Sequence, residues 1–272
     1  MAFIQNIALV SLIVFLLSGT VDAQKFVAQE VVNEMANKFR GAHTYQTSGV
    51  LTTIKNFEPY KKLTWSQALT HSELLTAHSL SFSFYFERPS KLRFDWLNVN
   101  LKVNRKSVIW TDGEKHFSWL PSSGESDGRF VWGKGSSLKM LLQDADFNQS
   151  SSMASILFAQ LTGDERAFTF NEMKDAEVVR EEVIDGRTCL VILGTISKDP
   201  WALWIDKSTF VLRKMRLLIS LTSFDEVVET GKQKLTIGEV RMVDPSINEP
   251  VSSRIFEYKP NVKKKDINLA KY

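Results

Sequence analysis

Two neighbouring segments of the sequence alternate between large apolar and polar side chains. Because successive side chains of a β-strand point to opposite faces, this period of two predicts two strands, each with one apolar and one polar face. Pro89 lies between the segments, and since proline cannot donate a ladder hydrogen bond, we expect the strand to break there. The apolar members are Phe82, Phe84 and Phe86 in the first segment and Leu92, Phe94 and Trp96 in the second.

More segments with strand character follow one another along the chain. Asp112-Gly113 and Asp185-Gly186 each separate two apolar-rich segments. This dipeptide favours the type I′ turn of a two-residue hairpin, because both central residues need a positive φ. Strands that follow one another without helices between them predict an antiparallel meander rather than parallel βαβ units. The further predicted strands are residues 45–54, 103–110, 115–120, 177–184, 187–196, 201–205, 210–221, 235–243 and 251–258.

Two helices are predicted near the start of the mature chain, one before the first strand and one within an insertion. Apolar residues recur at every fourth position over residues 27–39 and Gly41 follows them, which predicts an amphipathic helix that ends at the glycine. Residues 55–77 resemble an insertion between two strands. Within it we expect a loop over residues 55–62 and a short helix over residues 65–76.

The stretch from residue 124 to residue 163 differs from the strands on either side. It begins rich in glycine and serine and then offers two short helices, over residues 137–144 and 152–161. Met153 and Leu157 fall at helical spacing in the second of these. We interpret the stretch as a helical crossover that lies over one opening of the sheet.

The amino terminus predicts export. Residues 7–17 are apolar apart from one serine, and small residues follow at the −3 and −1 positions of a cleavage site after Ala23, which is typical of a secretory signal peptide. The apolar segment is shorter than the ~20 residues that span a bilayer, and an uncleaved membrane anchor is the alternative. We expect a signal peptide over residues 1–23 and a single soluble domain over residues 24–272.

Composition and charge argue against several classes of function. The net charge of +3 is small and dispersed, which argues against a nucleic-acid partner. Cys189 is the only cysteine, so no intramolecular disulfide forms, and its apolar neighbours predict a buried, unreactive thiol. No two histidines have the spacing of a zinc site. The four histidines are His43, His71, His78 and His116.

One motif has the residue spacing of a nucleotide-binding loop. Residues 128–135 (GRFVWGKG) match the glycine and lysine spacing of a phosphate-binding loop, but Gly135 stands where a serine or threonine must bind magnesium. We interpret the match as accidental. No serine-nucleophile elbow is present, and the abundant carboxylates leave a glycosidase-like pair open without marking one. We therefore expect no enzyme activity, no cofactor and no bound metal.

Several short motifs occur in a characteristic order along the chain. Residues 84–96 (FYFERPSKLRFDW), 110–119 (WTDGEKHFSW) and 256–260 (FEYKP) resemble a strand pair, a hairpin and the closing strand of the LolA-like superfamily. Residues 183–192 and 201–206 resemble later hairpins of a related group of predicted periplasmic proteins. The order of the motifs, after a signal peptide, favours the resemblance more than any single motif does.

The resemblance implies a mainly β (α+β) fold, namely a curved antiparallel incomplete β-barrel with helices covering the concave face. It also implies that Arg88, in the position of the family's Arg-Pro motif, is a latch that hydrogen-bonds the lid in the closed state. The aromatic face is either a plain sheet core or the lining of an unfilled cavity, because both need the same inward apolar pattern. The predicted lining residues are Phe82, Phe84, Phe86, Leu92, Phe94, Trp96, Trp110, Phe117, Trp119, Met153 and Leu157.

The function that the resemblance implies is that of a periplasmic protein that binds or carries a lipid or lipoprotein. Its partners are then a lipid or an acylated protein, with an envelope membrane protein as a further candidate, and we expect a monomer. Two features differ from the family's lipoprotein carrier: the insertion at residues 55–77 is longer, and no cysteine for acylation follows the signal peptide. The alternative is an envelope sensory or scaffold domain that binds a protein partner.

Overall fold

The computed structural model describes residues 27–58, 64–70, 76–98, 105–113, 116–121, 128–133, 151–163, 169–221 and 233–257. Within these residues the strands form one antiparallel sheet. The helices are α1 (Ala28–Gly41), α2 (Trp65–Thr70) and α3 (Ser151–Thr162), with 3₁₀ turns at Phe170–Glu172 and Ser253–Ile255. The strands are β1 (Thr44–Glu58), β2 (Thr76–Glu87), β3 (Lys91–Asn98), β4 (Arg105–Thr111), β5 (His116–Pro121), β6 (Gly128–Gly133), β7 (Lys174–Ile184), β8 (Arg187–Ile196), β9 (Asp199–Asp206), β10 (Leu212–Leu221) and β11 (Gln233–Ile247).

The strand order is β6-β5-β4-β3-β2-β1-β11-β10-β9-β8-β7. Each half of the sheet is therefore a meander in which strands adjacent in the chain are also adjacent in space. The first and last strands, β1 and β11, join the two halves. The fold class expected from the sequence, a mainly β, curved and incomplete antiparallel barrel with helices over its concave face, is confirmed.

Register divides the strand side chains between two faces of the sheet. Directly opposed residues of antiparallel strands share a face, so Phe84 of β2 lies on the same face as Phe94 of β3. Across β1 and β11 this face continues to Met215 of β10 and Leu203 of β9. We call it the inner face. The outer face carries the alternate residues, such as Trp204.

Helix α1 covers the inner face because its sequence is amphipathic. Val31, Met35 and Phe39 recur every fourth residue and are buried, as the periodicity predicted. Glu30 lies in the first turn, where a negative charge complements the positive end of the helix dipole. Helix α3 contacts α1 and contributes Leu157 to the same core. No helix of the described residues is long and apolar enough to cross a membrane.

A second, smaller core lies on the outer face beneath α2. Leu69 of α2 is buried in one cluster with Trp204. Arg216 donates from Nη1 to the carbonyl of Leu69 at 2.9 Å, and Arg180 donates from Nη2 to the carbonyl of Thr70 at 3.1 Å. Cations at the carboxyl end of a helix complement its dipole and bind carbonyls that have no partner within the helix. The insertion is thereby attached to the sheet.

Charged side chains surround Trp204 on the outer face. Its Nε1 donates to Glu182 at 2.9 Å, and Nζ of Lys214 lies 4.1 Å from the centroid of its ring. Burial opposes ionisation of Glu182, but hydrogen bonds from Trp204 and Arg180 outweigh it and hold the pKa of this carboxyl below its usual value. The ionised carboxylate therefore stabilises the folded state.

Three elements differ from the sequence predictions. The loop expected over residues 55–62 is wrong at residues 55–58, because β11 pairs with β1 as far as Glu58. The short helix expected over residues 65–76 ends at Thr70, and β2 begins at Thr76. The strand expected over residues 251–258 is wrong where it is described: Ser253–Ile255 is a 3₁₀ turn.

The helical crossover predicted over residues 124–163 is also wrong at residues 128–133, which belong to the accidental nucleotide-binding motif and form a strand. Gly128–Gly133 is β6 at one edge of the sheet and pairs with β5. Its bulky central residues, which do not suit a phosphate loop, have high strand propensity. The predicted signal peptide over residues 1–23 and the predicted helix over residues 137–144 lie outside the described residues.

Lowering the pH is expected to weaken the outer-face cluster. Because the folded-state pKa of Glu182 lies below its ordinary value of 4.5, its stabilising contribution is complete above that value and is lost as the pH falls through the folded-state pKa. Between neutral pH and about pH 3 the free energy of unfolding should therefore fall more steeply for the wild type than for Glu182→Gln. Urea denaturation measures both slopes. Glu34→Gln, on the exposed side of α1, is the control and should behave as the wild type. Equal slopes for Glu182→Gln and the wild type contradict the prediction.

Gly49 is expected to accept no side chain. It lies on the inner face, where a Cβ atom would lie 2.7 Å from the ring of Phe82 and closer still to the carbonyl oxygen of Arg241. Gly49→Ala should lower the free energy of unfolding by about 2 kcal/mol, as overpacking of a core does. Gly41→Ala is the matched control, because nothing lies within 4 Å of a Cβ atom there. Urea denaturation that gave both variants the same stability would overturn this account of the packing.

Candidate functional site

Most of the predicted lining residues lie together on the inner face. They come from β2, β3 and α3, and all contact one apolar core that α1 covers. The alternation in the sequence predicted this arrangement, since every second residue of a strand shares a face. These residues are Phe82, Phe84, Phe86, Leu92, Phe94, Trp96 and Leu157.

Trp110 is the exception, and its assignment to the same lining is wrong. It is paired with Arg93 rather than with Phe94, so it lies on the outer face. Ile109 is opposite Phe94 and takes the inner position. The apolar residues of β4 are consecutive, so the sequence has no alternation that indicates the face of Trp110. A register error of one residue exchanges the faces of a whole strand.

Three further predicted residues are described only in part. In register, Phe117 and Trp119 of β5 are opposite Trp110 and Val108 of β4. Met153 belongs to the first turn of α3. Because opposed residues share a face, this register places Phe117 and Trp119 on the outer face with Trp110, and their assignment to the inner lining is also wrong. The side chain of Met153 lies outside the part of the chain that the structure describes, and its role in a lining stays a prediction.

On the inner face, aromatic rings in contact with one another extend from α1 across β1, β2 and β3. The centroids of Phe39 and Tyr45 are 5.1 Å apart, and those of Tyr45 and Phe84 are 5.9 Å apart. Phe94 continues the series at 6.1 Å from Phe84 and 5.1 Å from Trp96. At this spacing neighbouring rings pack edge to face or stacked. In this conformation a hydrocarbon chain has to displace part of the cover to reach these rings.

Burial of the inner face decreases from one end of the strands to the other. Tyr45 and Leu92, at the end that α1 covers, are completely buried. At the opposite end Leu51 is 6% exposed and Leu217 is 7% exposed, and Trp96 is only partly buried. The opposite end is therefore the more accessible side of the apolar face.

Arg88 lies in the turn between β2 and β3 and binds the carboxyl ends of both covering helices. Its Nε donates to the carbonyl of Ala42 at 2.6 Å, and its Nη2 donates to the carbonyl of Leu161 at 2.9 Å. Nη2 also donates to the carbonyl of Arg40. One cation thus joins the sheet to the negative ends of α1 and α3. This is the geometry that a latch requires, and the latch role itself stays a prediction.

Gln160 of α3 joins the two covering helices to each other. It is completely buried, and its Nε2 donates to the carbonyl of Ala36 at 2.9 Å and to Oδ1 of Asn171 at 3.1 Å. Its Oε1 accepts from the backbone N–H of Phe170 at 3.0 Å. These bonds make α1, α3 and the 3₁₀ turn that follows α3 one cover. No pattern in the sequence indicates this role, because a single glutamine in a helix has no periodicity.

A groove of about 450 Å³ lies on the outer face. Its floor is formed by small residues of β1 and β2, Ser48, Ser81 and Ser83, and Val50 and Val243 flank it with exposed apolar side chains. Gly49, Phe82 and Trp96, which belong to the inner face, also line the groove.

The described residues contain little that suits catalysis. No three metal-ligating side chains come together among them. Burial raises the pKa of the Cys189 thiol to about 11, so the thiol is protonated at neutral pH and is a poor nucleophile. The predicted buried, unreactive cysteine is consistent with this position in the outer-face core.

Comparison with known proteins finds only solved structures that are similar at low sequence identity. No family model matches the chain, and no curated protein does. LprF from Mycobacterium bovis matches with a TM-score of 0.43 at 10% identity, over 83% of this chain and 94% of that one. A LolA superfamily protein from Nitrosomonas europaea matches with a TM-score of 0.30 at 12% identity, over 85% of this chain and 97% of that one.

A third similar structure contains two different proteins. The MucA/MucB complex of Pseudomonas aeruginosa matches with a TM-score of 0.38 at 13% identity, over 84% of this chain and 60% of that chain.

Replacing Arg88 is expected to loosen the cover without loosening the sheet. Arg88→Lys keeps the charge, but a single ammonium cannot reproduce the guanidinium's contacts with both helix ends. Backbone amides of α1 and α3 should exchange with deuterium about ten-fold faster, as the loss of about 1.4 kcal/mol of local stability implies. Amides of β8 and β9 should be unaffected. Arg40→Lys, at the exposed end of α1, is the control. A uniform increase across cover and sheet contradicts a local role for Arg88.

Proposed function

We propose that the protein binds the hydrocarbon chain of a lipid or an acylated protein on its inner face, beneath α1 and α3, and carries it in the periplasm. The signal peptide predicted over residues 1–23 supports this location. One observation carries the proposal: the inner face is a continuous apolar surface whose cover is a separate pair of helices attached through Arg88.

The energetics of such a site need no polar chemistry. Transfer of a methylene group from water into an apolar site contributes about 0.8 kcal/mol. Ten methylenes therefore contribute about 8 kcal/mol, which offsets a large part of the association cost of about 4–15 kcal/mol. The absence of a metal-ligand group among the described residues is compatible with a carrier, since nothing has to react.

Access to the inner face requires a change at the cover. The rings of the inner face are in contact with one another, so the described conformation is the closed state of the proposed carrier. Opening then requires release of Arg88 from the carbonyls of Ala42 and Leu161 and of Lys38 from the carbonyl of Thr209. The two helices move together, because Gln160 joins them. The chain then enters from the more accessible end, near Leu217 and Trp96.

The alternative function, an envelope scaffold or sensor that binds a protein partner, has less support from the segments that were its candidates. Helix α2 of the insertion is packed on the outer face and held there by Arg216 and Arg180. Helix α3 buries Ile156, Leu157 and Leu161 in the inner core. Neither helix is therefore free to present those apolar residues to a partner.

Leu217 and its neighbour Leu218 provide the test. They have similar exposure and lie on opposite faces of β10, so a larger side chain at either has a similar packing cost. Leu217→Phe takes up space on the inner face and should weaken the binding of radiolabelled hexadecanoic acid about ten-fold. Leu218→Phe should bind the acid as the wild type does. Equilibrium dialysis measures both, and urea denaturation checks that the two variants are equally folded.

Two outcomes contradict the proposal. If the wild type binds no hexadecanoic acid, and lipid extraction from protein purified from its own periplasm yields no acyl chain, the carrier function is wrong and the scaffold alternative stands. If Leu217→Phe and Leu218→Phe weaken binding equally, the acid does not bind on the inner face.

A further inference from the structure

Trp201 at the beginning of β9 brings a polar N–H group to the inner face. In register it is opposite Leu217 of β10 and Gly194 of β8, and it belongs to the inner core cluster. It is 5% exposed. Trp201 therefore lies at the more accessible end of the apolar face, on the same side as Leu217, where the proposed ligand enters.

The indole N–H of Trp201 is buried and has no hydrogen-bond acceptor. A buried donor without a partner costs about 1–3 kcal/mol, and such groups are rare in folded proteins. The three other buried polar atoms without a partner among the described residues belong to Thr209, Arg213 and Ser246. Trp201 is the one whose side chain is part of the inner core.

Trp204 of the same strand serves as a comparison, because its indole N–H has an acceptor within the protein. It lies three residues further along β9, on the outer face, and its Nε1 donates to Glu182 at 2.9 Å. The chain thus supplies an acceptor for the tryptophan on the outer face and none for the tryptophan on the inner face. Packing alone does not require this difference, because phenylalanine would fill an apolar site without an N–H group.

We propose that Trp201 Nε1 binds the carbonyl oxygen at the head of the ligand's hydrocarbon chain, an inference that rests on the proposed function. The ligand is then a fatty acid or a fatty acyl ester rather than a pure hydrocarbon. Its head lies at the accessible end beside Trp201 and Leu217. Its chain runs along β9 and β10 over Leu203 and Met215, towards the end that α1 covers.

The two tryptophans make the experiment internally controlled. Radiolabelled hexadecanoic acid, methyl hexadecanoate and hexadecane have the same chain, and only the first two carry a carbonyl oxygen. Trp201→Phe removes the N–H group together with part of the ring. Loss of ring volume weakens the binding of all three probes alike, so the relevant quantity is the affinity for the acid or the ester relative to that for hexadecane.

In the wild type both carbonyl probes should bind more tightly than hexadecane, and Trp201→Phe should lower that ratio about five-fold, which is the effect of one hydrogen bond of about 1 kcal/mol. Trp204→Phe should leave the ratio unchanged. A drop for the acid alone identifies a free carboxylate as the group bound, whereas a drop for both probes identifies the shared carbonyl.

The outcomes that overturn this inference are distinct from those that overturn the proposed function. If all three probes bind the wild type and Trp201→Phe leaves the ratio unchanged, the carrier function stands and the role of Trp201 is wrong. If Trp204→Phe lowers the ratio as much as Trp201→Phe does, the effect does not come from the inner face and the inference is also wrong. If none of the three probes binds the wild type, the inference fails, and the proposed function fails with it when lipid extraction also yields no acyl chain.

Discussion

The pairing of β1 with β11 is the constraint on which the rest of the structure depends. The two strands come from opposite ends of the described chain and pair along nearly their whole length, from Tyr45 with Ile247 to Glu58 with Gln233. All other strands add to this pair as two local meanders that need only neighbouring partners. Each meander carries its own apolar stripe. Only the β1–β11 register places the two stripes on the same side, so that a single apolar surface extends across both halves and needs a cover.

A sheet of this width has two apolar faces to bury, and the chain covers them in different ways. The outer face is covered by α2, which two arginines hold by its last carbonyls, and the charges around Trp204 are paired with one another. The inner face is covered by α1 and α3. Arg88 attaches both helices to the turn between β2 and β3, and Lys38 of α1 donates to the carbonyl of Thr209 at 2.6 Å. Because one residue, Arg88, binds the ends of both covering helices, we assign ligand binding to the inner face.

The sequence predicted the inner face of β2 and β3 correctly because alternation is strict there, and it predicted α1 from its four-residue period. It failed where alternation is lost. In β4 three consecutive apolar residues are buried, so the face of Trp110 follows only from its pairing with Arg93. The continuation of β1 to Glu58 depends on a partner strand almost two hundred residues later, which no local pattern contains. Contacts such as that of Gln160 with Ala36 depend on how two helices meet. Arg88 was found through a short family motif, which periodicity alone does not reveal.

The polar groups around the inner face determine which kind of ligand can offset the free-energy cost of opening the cover. Opening the cover exchanges the hydrogen bonds of Arg88 for water, and a hydrogen bond to a charged group contributes about 1.5–3 kcal/mol. With carbonyls of both helices involved, the cost is on the order of 3–6 kcal/mol, which equals the burial of about four to eight methylenes at 0.8 kcal/mol each. A short chain therefore cannot offset the release of Arg88, whereas a chain of lipid length does so and leaves a surplus for affinity. The unpaired N–H group of Trp201 favours binding. It raises the free energy of the empty protein, and the carbonyl of a ligand removes that cost. A long acyl chain with a carbonyl head satisfies both conditions at once.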